Sequence, residues 1–403
     1  RFKSNRLSLH FVLPMEDAKR SSRAILPYLW VKRCREYPDM ISLSCRLADL
    51  YGAGLGAKVD KLGPNQVLSV AVTGLDDRFT FQEEGQLSQC AQLLCQLVQQ
   101  PYWEEGLFSQ EDLETEKQTL SDLIEAKIND KRRYSILRAT ELLFGPQGGG
   151  LDPLGTLEQV EALTPESVTE AYRQVLKEGQ IHLFFVGCGD PSVALEVFQK
   201  AFTHWDRDPK PVSPLYRYRA GESRRVGERM DVTQSKLVLC LSSGLQEEED
   251  PFAAQMASVI LGGTPSSKLF LNVREKLSLC YYCSTGMGAG NRAMFIESGV
   301  ETANLERAEE AICQQLAALQ QGELTEEELL SAKLALVNSQ RSVTDSLAAV
   351  EGSYLGQAFN GCVLSQEEAV QQILSYTREQ VVEAAGRLRL AAVYTLKGGA
   401  QHG

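Results

Sequence analysis

One half of this chain repeats the other, and that narrows the fold before any motif is read. The stretch Phe108 to Leu120 (FSQEDLETEKQTL) echoes Leu324 to Leu336 (LTEEELLSAKLAL). Each sets a hydroxyl residue before an acidic first turn, then a leucine, then a lysine; Lys117 and Lys333 stand 216 positions apart. A second pair, Leu163 to Gly187 and Tyr376 to Gly398, reads as a capped helix followed by a strand, with Thr164 and Thr377 213 positions apart. Two copies at a nearly constant offset predict two homologous domains of about 200 residues each. The length of 403 residues suffices for two cores. Trp205 to Arg229 is rich in Pro, Asp and Arg and falls where the repeat requires a boundary. The expected division is therefore 1–204, a linker over 205–229, and 230–403.

Helix and strand periods alternate inside each copy. Gln86 to Gln99 lines Leu87, Cys90, Leu93, Leu94 and Leu97 along one face, the pattern of an amphipathic helix. Ser109 to Ile128 reads as a long helix capped by Ser109, with Glu111, Asp112 and Glu114 where carboxylates complement the helix dipole. Short apolar runs predict strands at Leu7 to Leu13, Val67 to Val72, His182 to Val186, Leu237 to Leu241, Met294 to Gly299 and Ala391 to Leu396. Single strands between helix pairs predict an α+β fold of two homologous domains, each an antiparallel-rich β-sheet with helices packed on one face.

Composition removes several function classes. A net charge of −12 repels phosphate backbones, so no nucleic-acid partner is expected. The dense basic clusters, Lys131-Arg132-Arg133 and Arg217 to Arg229, read as a solvated helix face and a linker. No apolar run approaches the roughly 20 residues of a membrane span, and no leader-like apolar stretch opens the chain at Arg1. No membrane partner and a cytoplasmic location follow as expectations. The ten cysteines are scattered, and Cys90 and Cys95 sit in an apolar helix pattern, as reduced buried thiols do.

With the repeat in place, Leu261 to Tyr282 (LGGTPSSKLFLNVREKLSLCYY) resembles the C-terminal-domain signature of the pitrilysin/insulinase-type zinc metallopeptidases, the family that includes the mitochondrial processing peptidase subunits. The matching residues are Leu261, Gly262, Gly263, Ser267, Leu269, Phe270, Arg274, Glu275, Lys276, Leu279 and Tyr281. Gly322 to Leu336 is similar to the helix start that follows in that family. In the first half, Phe144 to Val168 resembles a family segment with Gly-Thr and Leu-Thr at fixed spacing, without its leading His. The resemblance spans nearly the whole chain and implies a metallohydrolase fold like that of the processing peptidases.

Active members of that family carry His-x-x-Glu-His on the first long helix of the N-terminal domain, with a further Glu from a later helix. Two imidazoles four residues apart share one helix face, and the intervening Glu activates a zinc-bound water. This chain has four histidines, His10, His182, His204 and His402, none within four positions of another. The motif therefore exists nowhere in it. By the resemblance, Ala24, Pro27 and Tyr28 stand where His, Glu and His would, within RAILPYLWVKRC, and the later Glu falls at Asp122 or Leu123. Ala and Pro offer no ligand atom, and Pro27 lacks an amide that a helix interior uses. No metal is expected in this chain, and no catalytic residue.

The segment Asn272 to Cys283 (NVREKLSLCYYC) offers two other kinds of chemistry. Cys280 and Cys283 have redox or zinc spacing, but they lie in an apolar and aromatic run, and no second ligand pair exists elsewhere. They read as bystanders. Arg274 and Tyr281 have a plain reading, an ion pair and a core aromatic, and a sharper one. The resemblance implies that the matching Arg and Tyr contact the substrate backbone near the scissile bond, where guanidinium and phenol donate hydrogen bonds to peptide carbonyls. The Gly-rich stretches Phe144 to Gly155 and Leu50 to Gly63 lack the Lys-Ser/Thr of a phosphate loop and read as turns. Leu245 to Asp250 (LQEEED) reads as a solvated loop or helix start.

With these features, the resemblance implies a non-catalytic subunit of a heteromeric zinc peptidase. It would bind an extended peptide and donate Arg274 and Tyr281 to a zinc-bearing homologous subunit. The alternative is a stand-alone peptide-binding or scaffold homodimer without proteolysis.

Overall fold

The structure is a computed structural model that describes residues 2–81, 85–145, 148–203, 205–213, 223–245, 251–288, 290 and 293–398. His204, His402, the acidic run after Leu245, and the part of the Arg217 to Arg229 cluster before Ser223 lie outside the described residues. Packing divides the chain into two compact units. The first holds the described residues of Arg1–Ala126, Leu151–Ser213 and Ser346–Ser353; the second holds those of Lys127–Gly150, Pro214–Asp345 and Tyr354–Gly403.

Nine strands are described: β1 (Ser4–Pro14), β2 (Gly54–Leu62), β3 (Asn65–Leu75), β4 (Gln180–Val186), β5 (Arg224–Met230), β6 (Ser235–Ser242), β7 (Cys280–Gly288), β8 (Ala293–Val300) and β9 (Arg389–Gly398). The first sheet has the order β2-β3-β1-β4 and the second β5-β9-β6-β8-β7. Read from the opposite edge, the second sheet is β7-β8-β6-β9, the same arrangement as the first, with β5 added. The repeat thus reproduces topology as well as sequence. Pairing is antiparallel throughout except for β5, which runs parallel to β9. The fold is α+β with antiparallel-rich sheets, and β5 lies largely inside the stretch that composition marks as a linker.

The repeated lysines explain why the repeat is visible. Lys117, in the helix Gln110–Asn129, donates to the carbonyl of Leu163 at 3.3 Å; Lys333, in Glu326–Val343, donates to that of Leu374 at 2.9 Å. Both carbonyls lie just before the second repeated helix, Pro165–Glu178 or Arg378–Arg387. Thr164 and Thr377 start those helices with capping boxes closed by Ser167 and Gln380. Ser109 differs from expectation. Its carbonyl accepts from Leu113, but its hydroxyl is buried without a hydrogen-bond partner among the described residues, so that helix starts on backbone bonds.

Alternation along β1 shapes the first unit. Leu7, Leu9 and Phe11 face one way, where Phe11 meets Trp30 with ring centroids 5.2 Å apart. The helix Gln86–Gln99 buries its predicted face, Leu87, Cys90, Leu93, Leu94 and Leu97. The other face of β1 carries Arg6, Ser8 and His10, and the segment 346–353 brings Glu351 to it. In the second unit Leu237, Leu239 and Leu241 of β6 join the main core, while Val238 and Cys240 face a smaller cluster. That cluster is covered by Ala139 and Leu143 of the helix Lys131–Phe144. The basic cluster of this helix is engaged, since Arg132 grips Glu297 with two bonds of 2.6 Å. Among the described residues, no helix is long and apolar enough to cross a membrane.

Candidate functional site

In the first unit the chain between β1 and β2 holds the positions at which the resemblance would place a metal. Arg20–Ala24 and Leu26–Trp30 form two short helices joined at Ile25, which keeps right-handed helical angles. The amides of Ile25 and Leu29 still bond to Ser21 and Ile25, so the segment is one helix in path. It is interrupted where Pro27 has no amide to send to the carbonyl of Arg23. Ala24 is fully buried among Ile25, Leu26 and Trp30, and Pro27 is buried as well. Tyr28 is half-buried; burial, then the carboxylates of Asp60 and Glu116, push its hydroxyl above the ordinary range.

The carboxylates of the helix Gln110–Asn129 that reach this segment are Asp112 and Glu116, and neither aligned position, Asp122 or Leu123, supplies one there. Asp122 is exposed and accepts from Gln118 at 2.7 Å, one turn away on the same helix, and Leu123 is 38% exposed. Lys32, one turn beyond Tyr28, holds Glu116 at 3.1 Å and lies 3.7 Å from Asp112. Arg33 binds Asp112 at 2.5 Å and stacks over Tyr102 at 4.2 Å. The residues present do not fit a zinc ion. Two of the three aligned positions carry no ligand atom, and the nearby carboxylates are neutralised by an ammonium and a guanidinium. Among the described residues, no group of three or more His, Cys, Asp or Glu could hold a metal. Sequence reading missed this cluster because only the folded pairing reveals it, although Lys32, Arg33 and the acidic turn were each visible.

In the second unit the corresponding crossing, between β6 and β7, ends in the segment Leu269–Lys276 and the strand β7. Gly262 is needed where this crossing begins. A Cβ there would lie 2.9 Å from the backbone nitrogen of Thr285 and 2.7 Å from its methyl carbon, so only glycine lets the helix end meet β7 this closely. Arg274 lies on the last turn with its side chain 40% exposed, 4.6 Å over the ring of Phe270 and 3.7 Å from Glu275. Tyr281 is 59% exposed, and its hydroxyl donates to Glu301 at 3.1 Å. That hydrogen bond, then the charge of Glu301, holds the phenol above its ordinary value, so it is a donor at neutral pH. Neither residue is in the core. Arg274 lies close enough to Cys280, the residue before Tyr281, for its charge to act on that thiol.

A third constellation was not read from the sequence. His10 places Nδ1 2.8 Å from Ser69 Oγ and Nε2 3.2 Å from Glu351, which also binds Arg6 at 2.5 Å. His10 and Glu351 are 3% and 6% exposed. Burial acts to raise the Glu351 carboxyl, but His10, Arg6 and Ser8 outweigh it and hold it down at about 2. With His10 and Glu351 buried, this network pins the segment 346–353 to the sheet. Its only signal in the sequence is a lone carboxylate in the weakly polar helix Leu347–Asn360.

A model of the peptidase M16 inactive domain matches residues 162–336, the span that includes Arg274 and Tyr281. The chain is also 26% identical, over 399 residues, to a protein of Bacillus subtilis (strain 168) described as a probable inactive metalloprotease, YmfF; the match covers 99% of this chain and 94% of that one. The chain resembles the inactive M16 peptidases. Solved structures share the fold. A conserved protein from Enterococcus faecalis V583 superposes with a TM-score of 0.92 at 27% identity, over 100% of this chain and 95% of that one. A peptidase M16 inactive domain from Pseudomonas fluorescens shares the fold, with a TM-score of 0.79 at 17% identity, over 99% and 94%. The charge-paired cluster around Lys32 thus occupies the place in the first unit at which the resemblance would put a metal.

Proposed function

We propose that this chain is the non-catalytic subunit of a heteromeric zinc peptidase, binding an extended peptide and donating Arg274 and Tyr281 to the active site of a zinc-bearing homologous partner. The observation that carries the reading is the exposure of both side chains beside an edge strand. A core role would bury Tyr281, yet it stands 59% exposed at the start of β7, which pairs on one side only. An edge strand offers unpaired N–H and C=O groups to an added extended peptide. Arg274 and Tyr281 are donors that can meet peptide carbonyls, and a Tyr donor can also hold an oxyanion as it forms. Zinc belongs to the partner in this scheme, because Ala24 and Pro27 offer no ligand atom and Lys32 neutralises Glu116 beside them.

The test is co-expression with a zinc-bearing homologue and an assay of peptide cleavage by the purified pair. Arg274→Ala with Tyr281→Phe is expected to lower kcat/KM by about a hundredfold, the scale for removing a donor to a developing oxyanion. Activity unchanged by the double substitution sinks the donation. A chain that self-associates and binds peptide alone points instead to the stand-alone homodimer.

A further inference from the structure

Residues three apart on a regular strand face opposite sides of the sheet, because the side-chain period is two. Cys280 and Cys283 depart from that rule. The register of β7 on β8 pairs Cys280 with Val300 and Tyr282 with Gly299, so a bulge between them leaves Tyr281 over. The extra residue returns Cys283 to the face of Cys280. Both sit in the same core cluster, 9% and 4% exposed, while Tyr282 lies under Arg132 and Lys236 at 4.8 and 5.4 Å. The bulge thus sets both thiols on one face of β7 and in one apolar cluster, near enough for each to act on the proton of the other.

We infer that Cys280 and Cys283 form a redox-active dithiol in which Cys280 is the attacking sulfur, Cys283 the resolving one, and a hydroperoxide the oxidant. Cys280 attacks one peroxide oxygen; the O–O bond breaks, the alcohol leaves, and Cys280 becomes a sulfenic acid. Cys283 then attacks that sulfur, the S–S bond forms, and water leaves. Two thiols lose two electrons and two protons, and the hydroperoxide is reduced to alcohol and water.

The surroundings divide the roles. The neighbouring Cys283, then Ser298 and the charge of Arg274, hold the Cys280 thiol below its ordinary value against the opposing effect of burial. Cys283, the more buried of the two, is pushed up. A disulfide requires Cα atoms within about 7 Å, so the strand must tighten across the bulge. The bulge supplies the slack, and β7 has a ladder on one side only. Tyr281 is the residue left over, so closing the pair acts first on how Tyr281 is presented.

The experiment exposes the full chain to hydrogen peroxide, alkylates it under denaturing conditions, and weighs its proteolytic peptides. The expected result is loss of alkylation at both cysteines in a peptide two hydrogens lighter, restored by dithiothreitol. In Cys283→Ser, Cys280 stops at the sulfenic acid and is trapped by dimedone. In Cys280→Ser, Cys283 stays fully alkylatable. The inference is overturned if both cysteines remain alkylatable while the exposed Cys45 is oxidised. Equal dimedone labelling of the two variants overturns it too. This readout does not depend on peptide binding, so it stands or falls apart from the proposed function.

Discussion

The chain crosses from the first strand of each copy to the second by a helical segment, and the two crossings have been put to opposite uses. Between β1 and β2 the crossing is closed. Ala24 and Pro27 are buried, and Lys32 and Arg33 tie down the carboxylates of the neighbouring helix. Between β6 and β7 it is open. Arg274 and Tyr281 face outward, and a bulge decides which side chains of β7 reach solvent. Because both crossings hang on the same strand order, the scaffold does not set the difference. A handful of side chains does, and each can be exchanged.

The sharpest attempt to break the comparison is to give the closed crossing a metal. The triple variant Ala24→His, Pro27→Glu, Tyr28→His restores the spelling His-x-x-Glu-His. It is expected to bind no stoichiometric zinc by elemental analysis, because Lys32 still neutralises Glu116 at 3.1 Å. Adding Lys32→Ala frees that carboxylate and should bring the first measurable zinc. Stoichiometric zinc in the triple variant with Lys32 intact would show that lost ligands alone closed the site.

The next largest effect concerns the closed unit's other face. Glu351→Ala strands Arg6 and His10 on the sheet and should cost about 3 to 5 kcal/mol in denaturant unfolding, the range for breaking a buried ion pair. The pH dependence has a definite sign. The carboxyl is at about 2 when folded and ordinarily at 4.5, so its contribution is complete above the higher value and is lost as pH falls toward the lower one. The size is about 3 kcal/mol. Wild type should therefore weaken in acid more steeply than Glu351→Ala, and parallel acid profiles would remove the network from the account.

How far the sequence reveals all this depends on what each element buries. The interior strands β1, β3, β6, β8 and β9 were each legible as apolar runs, because both of their faces are covered. Of the edge strands, β4 was legible as the run His182 to Val186, but β2 and β5 were read as turn and linker, and β7 was not among the predicted strands. Their side chains are largely exposed or half-buried, and Gly54, Gly56, Gly286 and Gly288 weaken any strand signal. The absence of His-x-x-Glu-His was legible outright, since four dispersed histidines cannot spell the motif. What replaced it was not, because Lys32–Glu116 and Arg6–Glu351 join residues 84 and 345 positions apart. The switch of 127–150 into the second unit and 346–353 into the first is likewise written in contacts, not in local pattern.

A smaller effect compares the repeated caps. Thr164→Ala and Thr377→Ala each remove a hydroxyl that accepts from a first-turn amide, at 3.3 and 3.4 Å. Each should cost about 1 kcal/mol in thermal or denaturant unfolding. The two need not be equal. Pro165 fixes the first residue of the first-unit helix in helical geometry, whereas Arg378 leaves it to the cap. The larger loss is therefore expected for Thr377→Ala, and the reverse order would show that packing outweighs the start of the helix.

The smallest effect probes the turn that makes the open crossing. Ser278 takes a positive φ of 50° between the segment Leu269–Lys276 and β7. The amide of Leu279 closes this end onto the carbonyl of Val273 at 3.2 Å, six positions back and one longer than the six-to-one bond of a Schellman ending. A Cβ in the left-handed region costs about 1 to 2 kcal/mol, part of which glycine gives back by its freedom in the unfolded chain. Ser278→Gly should therefore stabilise the chain by about 0.5 kcal/mol while leaving Arg274 and Tyr281 where they are. If the substitution instead lowers stability, the serine hydroxyl is holding the turn. The open crossing would then be fixed by a side chain at its hinge as firmly as Lys32 fixes the closed one.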